Sequence, residues 1–210
     1  MMLFNMQPTK PSFFFILRSR LQGKSFLYEF YFKGKKTLDV GCGEGEFLRL
    51  GKDHLVGVDS NARVAEKLSQ EGFKVKQGSA TALPFEDGVF DAVHCRNVIE
   101  HLEIGDAYKL LTEAGRVLKP GGTFVLASET VTKKFWETFG HTKPYPPKAI
   151  IKLLRDESRE EFEKLEGFVY VDTLYFGDYF KNKIAYLLSV FIAYHAPFFR
   201  REYFLILKKK

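Results

Sequence analysis

The sequence predicts an α/β fold, a Rossmann-like, doubly wound, mostly parallel seven-stranded sheet with helices on both faces. Three observations predict it. Short β-type runs alternate with helical patterns along the chain. The predicted strands are nearly continuous in apolar residues, which suits strands covered on both faces. Glycine and proline punctuate the chain at regular intervals, without an internal repeat or a low-complexity linker.

The elements follow in order. Residues 37–40 form the first strand and run into closely spaced glycines, after which a helix is expected. Residues 54–59, 73–77 and 90–95 are the next three strands, and 123–127 the fifth, introduced by the turn Pro120-Gly121-Gly122. A helix over 61–70 turns Val64, Ala65 and Leu68 inward. A second, over 106–118, aligns Ala107, Leu110, Leu111, Ala114 and Leu118 on one face, with Asp106 as its cap. Residues 167–176 and 203–207 read as the sixth and seventh strands. Between them 178–195 is apolar around most of a helix, and 11–32 is aromatic-rich with one or two helices.

Composition bounds the class. A chain of 210 residues fits one domain and buries enough surface to need neither disulfides nor a metal. With 45% hydrophobic and 28% charged residues, the chain is not a disordered one. The apolar stretch 184–194 falls short of the ~18–20 residues of a spanning helix, and 13–17 is too short for a signal-peptide core. A cytoplasmic location is therefore expected. The two cysteines, Cys42 and Cys95, cannot supply a disulfide framework or a four-ligand zinc site, and they read as small buried apolar residues. No metal ligand set is expected. The net charge of +6 is a modest surplus spread along the chain, which argues against nucleic acid as a partner.

The informative stretch is Leu38-Asp39-Val40-Gly41-Cys42-Gly43-Glu44-Gly45-Glu46-Phe47-Leu48. Closely spaced glycines after a strand let a ligand approach the backbone, at the carboxyl ends of the strands where open parallel sheets bind. A dinucleotide fingerprint requires glycine at the first, third and sixth positions, here Gly41, Gly43 and Glu46. A carboxylate at the loop mouth repels a pyrophosphate, so a nicotinamide oxidoreductase is disfavoured. The acids Asp39, Glu44 and Glu46 suit a cofactor that carries positive charge. Asp59 ends the second strand, where an acid accepts hydrogen bonds from both ribose hydroxyls. Beside the glycine loop this reading is preferred to a helix cap before Asn61.

Three segments carry a resemblance to the class I S-adenosylmethionine-dependent methyltransferases, the small-molecule, quinone-biosynthesis-like "methyltransferase type 11" family. They are Leu38-Asp39-Val40-Gly41-Cys42-Gly43-Glu44-Gly45; Gly78-Ser79-Ala80-Thr81-Ala82-Leu83-Pro84-Phe85 running on to Phe90-Asp91-Ala92-Val93; and residues 113–122 with Arg116-Val117-Leu118-Lys119-Pro120-Gly121-Gly122. Together they cover roughly residues 36–128. The resemblance implies S-adenosyl-L-methionine as cofactor and S-adenosyl-L-homocysteine as product. It places Gly41, Gly43 and Gly45 along the methionine and ribose portions with Asp39 near the amino group. It places Asp59 on the ribose, Ser79 and Ala80 beside the adenine, and Asn97 on the floor near the transferred methyl. Cys42 and Ser60 complete the expected contacts. Members often carry an acid where this chain has Ser79, whose hydroxyl can accept the same adenine bond. The implied organisation is a single domain, 1–210. It has an N-terminal helical lid (1–34), a cofactor-binding core (35–130) and a substrate side (131–210) with a helical insertion at 178–197.

Methyl transfer by in-line displacement needs a general base only when the acceptor holds its proton. His101 and His141 are the candidates, against packing or surface roles, while Glu100 and Glu103 read as solvated helix residues. The end of strand four, Cys95-Arg96-Asn97-Val98, lacks the Asx-Pro-Pro-aromatic run of amino-methylating DNA enzymes. Pro144-Tyr145-Pro146-Pro147 lies elsewhere and reads as a helix start with Pro147 in its first turn. Aromatics make up 16% of the chain and crowd its ends, at Phe13, Phe14, Phe15, Phe26, Tyr28, Phe30, Tyr31, Phe32, Tyr175, Phe176, Tyr179, Phe180, Tyr194, Phe198 and Phe199. That favours a lipophilic or ring-containing small-molecule acceptor, set against a plain core or dimer role. Nearby basic residues also allow a weak contact with a membrane surface. The rival readings are an RNA or protein methyltransferase and a non-catalytic binding module of the same fold. The oligomeric state stays open.

Overall fold

A computed structural model describes residues 27–157, 162–177, 183–196 and 199–210. Seven strands form one sheet in the order β3-β2-β1-β4-β5-β7-β6. They are β1 (Thr37–Val40), β2 (Leu55–Asp59), β3 (Lys74–Gln77), β4 (Phe90–Arg96), β5 (Leu118–Glu129), β6 (Phe168–Phe176) and β7 (Glu202–Lys209). The pairs from β3 through β5 are parallel, and β7 runs antiparallel to both β5 and β6. The α-helices are α1 (Ala62–Gln70), α2 (Ile104–Val117), α3 (Lys133–Glu137), α4 (Pro147–Leu154) and α5 (Lys183–His195).

Alternation along the central strands splits the core in two. Leu38, Val40, Val93, Cys95, Phe124 and Leu126 meet the apolar stripe of α2, Ala107 through Val117, on one face. Leu55, Ala92, Val125, Ala127 and Phe204 meet Leu68 of α1 and the N-terminal residues Leu27, Tyr28 and Phe32 on the other. This is the two-sided burial expected of a parallel sheet. β3 departs from the apolar expectation: Lys74, Lys76 and Gln77 are exposed. It is the sheet's edge, where lysines oppose unwanted strand pairing.

Several local expectations are corrected. The glycine loop leads into a single 3-10 turn, Leu48–Leu50, and not a helix. Only four residues then separate that turn from β2. Helix α2 starts two residues before Asp106, with Glu103 at its N-cap, and Asp106 lies in the first turn bonded to Lys109. Pro120-Gly121-Gly122 is not a turn ahead of β5 but a bulge within it: the partners of β4 jump from Leu118 to Thr123. Helix α1 is capped by Asn61, whose side chain accepts from the Arg63 N–H. Pro147 opens α4 as expected. At the N-terminal end a π-helical turn, Tyr28–Phe32, buries Tyr28, Tyr31 and Phe32. Phe13, Phe14, Phe15, Phe26, Tyr179, Phe180 and Phe198 lie outside the described residues. No helix among the described residues is long and apolar enough to cross a membrane.

Candidate active site

β1 has β2 on one side and β4 on the other, so the strand order reverses there and a crevice opens at the carboxyl ends. A cleft of about 440 Å³ occupies this point. Asp39, Gly41, Cys42, Gly43, Glu44 and Glu46 line it from β1 and its loop, His94 and Arg96 from β4, and Leu27, Phe32, Phe47 and Leu50 supply an apolar wall.

The backbone explains the glycines. Gly41 has φ +70, and a Cβ there would collide with Val98 Cγ2 just beyond β4. Glycine therefore lets the loop seat against the exit of β4. Gly43 has φ +47 with open space where a Cβ would stand, so its vicinity stays clear for a ligand. Gly43 N–H donates to Asp59 Oδ2 at 2.9 Å, and Asn61 N–H donates to Asp59 Oδ1 at 2.9 Å. Asp59 thus ties the end of β2 to the glycine loop, and each oxygen keeps lone-pair capacity. It is not the cap of α1, a role taken by Asn61.

Asp39 is buried and bonded to His94 Nδ1 at 2.7 Å. The carboxylate only accepts, so Nδ1 carries the hydrogen. The ring stacks on Phe47 at 4.0 Å between centroids. His94 was not foreseen. Its signal was available, since parallel pairing of β1 and β4 sets it directly opposite Asp39. Glu44 is paired with Lys67 at 2.5 Å, which holds its carboxyl below the usual range. Burial pushes the Cys42 thiol up to about 12, with Asp39 and Asp59 adding to the shift, and lifts Cys95 well above its ordinary value. Both thiols stay protonated.

Gly45 packs over Leu68 of α1, and Ser60, Ser79 and Ala80 lie outside the cleft wall. The Ser79 hydroxyl is engaged with Thr81 Oγ1 at 2.8 Å. Asn97 is exposed with φ 55, and its N–H donates to the Ala127 carbonyl. A left-handed Asn here turns the chain out of β4.

That turn delivers Ile99–His101. Glu100, expected to be solvated, is fully buried, because the 3-10 turn sets it beside Ser128 of β5 and Tyr203 of β7. Glu103 is exposed at the start of α2, as expected. Thr142 N–H donates to the Glu100 carbonyl at 2.8 Å, and Thr142 Oγ1 and Tyr145 Oη both donate to the Leu102 carbonyl. These bonds bring His141 to His101, ring centroids 4.9 Å apart. Desolvation pushes the Glu100 carboxyl above its usual range, opposed by its own N–H, the Ser128 hydroxyl and the two imidazoles. The Ser128 hydroxyl nevertheless stands outside hydrogen-bond geometry, and neither Glu100 oxygen has a bonded partner among the described residues.

A parallel sheet with a glycine loop at its switch point, bordered by carboxylates instead of phosphate-binding groups, defines a Rossmann-like protein for a nucleoside cofactor. Comparison narrows this. The model of the methyltransferase domain family matches residues 38–126. An uncharacterized protein of Methanocaldococcus jannaschii is 32% identical over 180 residues, covering 79% of this chain and 72% of its own length. An uncharacterized methyltransferase of Mycobacterium sp. (strain JLS) is 39% identical over 100 residues, and the match spans 38% of that relative. Among solved structures, a SAM-dependent methyltransferase from Archaeoglobus fulgidus superposes over 94% of this chain and 100% of its own, with TM-score 0.64 and 22% identity. The chain belongs to the class I S-adenosylmethionine-dependent methyltransferases. It is an enzyme of methyl transfer, and its cofactor is S-adenosyl-L-methionine.

Proposed function

We propose that the methyl acceptor is a small organic molecule with a lipophilic or aromatic body, bound beside the glycine-loop cleft. The observation that supports it most is the apolar wall of Leu27, Phe32, Phe47 and Leu50 facing the carboxylates of that cleft. When bound, the cofactor supplies a methyl carbon on a sulfonium, an electrophile with its own leaving group. The residues of the chain bind and align. The Gly41–Gly45 loop admits the amino-acid portion to the backbone, and Asp39, oriented by His94, faces the positive charge. Asp59 would accept from the ribose hydroxyls, while Ser79, Ala80 and Ser60 would border the adenine side and Asn97 the methyl. Alignment of this kind contributes ~7–11 kcal/mol to such reactions. A proton leaving the acceptor passes to His101 or His141. Their Nδ1–H groups donate to the carbonyls of Gly140 and Phe135, at 2.9 and 3.0 Å, which leaves Nε2 free to accept.

The test is a thermal-shift titration. S-adenosylhomocysteine at a hundredfold excess over its Kd should stabilise the fold by about 2.7 kcal/mol. Asp59→Ala should remove that rise. An undiminished rise in the variant would refute ribose binding by Asp59. A screen of quinols, other phenols, lipids and RNA then reads the acceptor, and transfer to RNA that weakens steeply with salt would replace the small-molecule reading.

A further inference from the structure

The pair of histidines, the buried acid beneath them and the loop that clamps them form a cluster that methyl transfer alone does not account for. One ligand atom from each of Glu100, His101 and His141 lies within 4.8 Å of the others. Glu100 is fully buried, and among the described residues neither of its oxygens makes a hydrogen bond of normal geometry, the Ser128 hydroxyl nearby included. A buried carboxylate without hydrogen bonds is costly unless something else satisfies it. Each imidazole donates Nδ1–H to a backbone carbonyl, from Gly140 and Phe135. That bond selects the tautomer with its lone pair on Nε2 and orients the ring, as the outer partners of metal-bound histidines do. Three hydrogen bonds from Thr142 to the Glu100 and Leu102 carbonyls hold the segments carrying the two rings together.

We propose that Glu100, His101 and His141 form a binding site for a divalent transition-metal ion of the zinc type, with a fourth position open. Two imidazoles and one carboxylate suit Zn²⁺ or Co²⁺ better than Mg²⁺ or Ca²⁺, which take oxygen ligands. Ligands at ~2.0–2.1 Å on a tetrahedron stand ~3.4 Å apart, so the three, within 4.8 Å of one another, close by about 1.4 Å at most as the ion enters, the Nδ1–H bond of His101 to Gly140 holding that ring in its orientation. His101 lies on the exit of β4, the same segment whose Val98 touches the glycine loop at Gly41. Resting on the methyltransferase reading above, the open position takes the acceptor's oxygen. An acceptor hydroxyl held there would lose its proton to solvent water more readily near neutral pH, since both Nε2 atoms are then occupied as ligands. The ion then does the work otherwise left to a neutral imidazole, and the favoured acceptor is a hydroxyl compound that can ligate a metal.

The ion itself tests the site. Chelator-treated protein is titrated with Co²⁺, followed by its visible absorption, and with Zn²⁺ by calorimetry. One ion per chain is expected, with ligand-field bands of a tetrahedral Co²⁺ site. His141→Ala and the near-isosteric Glu100→Gln should each weaken binding by more than the 10–100-fold typical of an outer partner. Both variants should keep the S-adenosylhomocysteine thermal shift, which certifies their fold. Absence of stoichiometric binding, or binding unchanged in the double variant His101→Ala/His141→Ala, overturns the site. Failure of the methyltransferase reading appears separately, as a wild-type protein with no S-adenosylhomocysteine shift whether or not it binds the ion.

Discussion

Gly41 shows how a single residue sets the site. Its φ of +70 and the Val98 methyl at its Cα leave no room for a side chain. A non-glycine residue in the left-handed region costs roughly 1–2 kcal/mol, and overpacking adds about 1–3. Gly41→Ala should therefore lower stability by about 2–5 kcal/mol, and the melting temperature by roughly 4–20 °C for a chain of this size. An unchanged melting curve would mean that the loop does not seat against β4. The glycine pattern, Asp39 and Asp59 were legible in the sequence because short spacing along one strand–loop unit carries them. Glu100 was not. Its neighbours Glu103 and His101 are exposed, and only packing against residues distant in sequence, Ser128 and Tyr203 among them, makes Glu100 a buried acid.

Among elements, α2 does more than cover the sheet. Arg116 reaches from its last turn to both oxygens of Glu113, to Asp87, and to the carbonyls of Leu83 and Phe85, all at 2.7 to 3.0 Å. Glu113 in turn accepts the Leu83 N–H at 2.7 Å. These bonds pin the 83–87 segment, which leads from β3 toward β4, to the helix. Bonding to Arg116 holds the Glu113 carboxyl below its usual range, against a smaller desolvation effect. A folded value below the unfolded one, near ~4.3, adds stability that is present above that value and lost as the pH falls through the folded one. Glu113→Gln is therefore expected to be less stable at pH 7, by about 1–3 kcal/mol for bonds to a charged group. Its stability should also fall less steeply below pH ~5, as read by denaturant unfolding across pH. Equal acid limbs in wild type and variant would contradict this. The 113–122 motif marked this unit in the sequence, but its partners at 83–87 lie some thirty positions away.

Over the whole molecule, the last strand is an interior one. β7 inserts between β5 and β6 and pairs along its length with both. Tyr203, Leu205 and Leu207 pack on the α2 face, and Phe204 and Ile206 on the other. Removing residues 202–210 would strip two ladders at once and expose both cores. The truncated chain should show no cooperative unfolding transition by circular dichroism, and a sharp one would show that β6 re-pairs with β5. What the chain determines by itself is local: alternating strands and helices, an acidic glycine loop, and an acid at the end of β2. Each arises from periodicity or spacing within a few residues. Tertiary structure alone decided that His94 meets Asp39, that His141 meets His101, and that Glu100 lies beneath them. Those meetings join positions 40 or more residues apart or depend on packing against distant strands. A linear pattern does not encode which polar group ends inside; the packing of distant segments does.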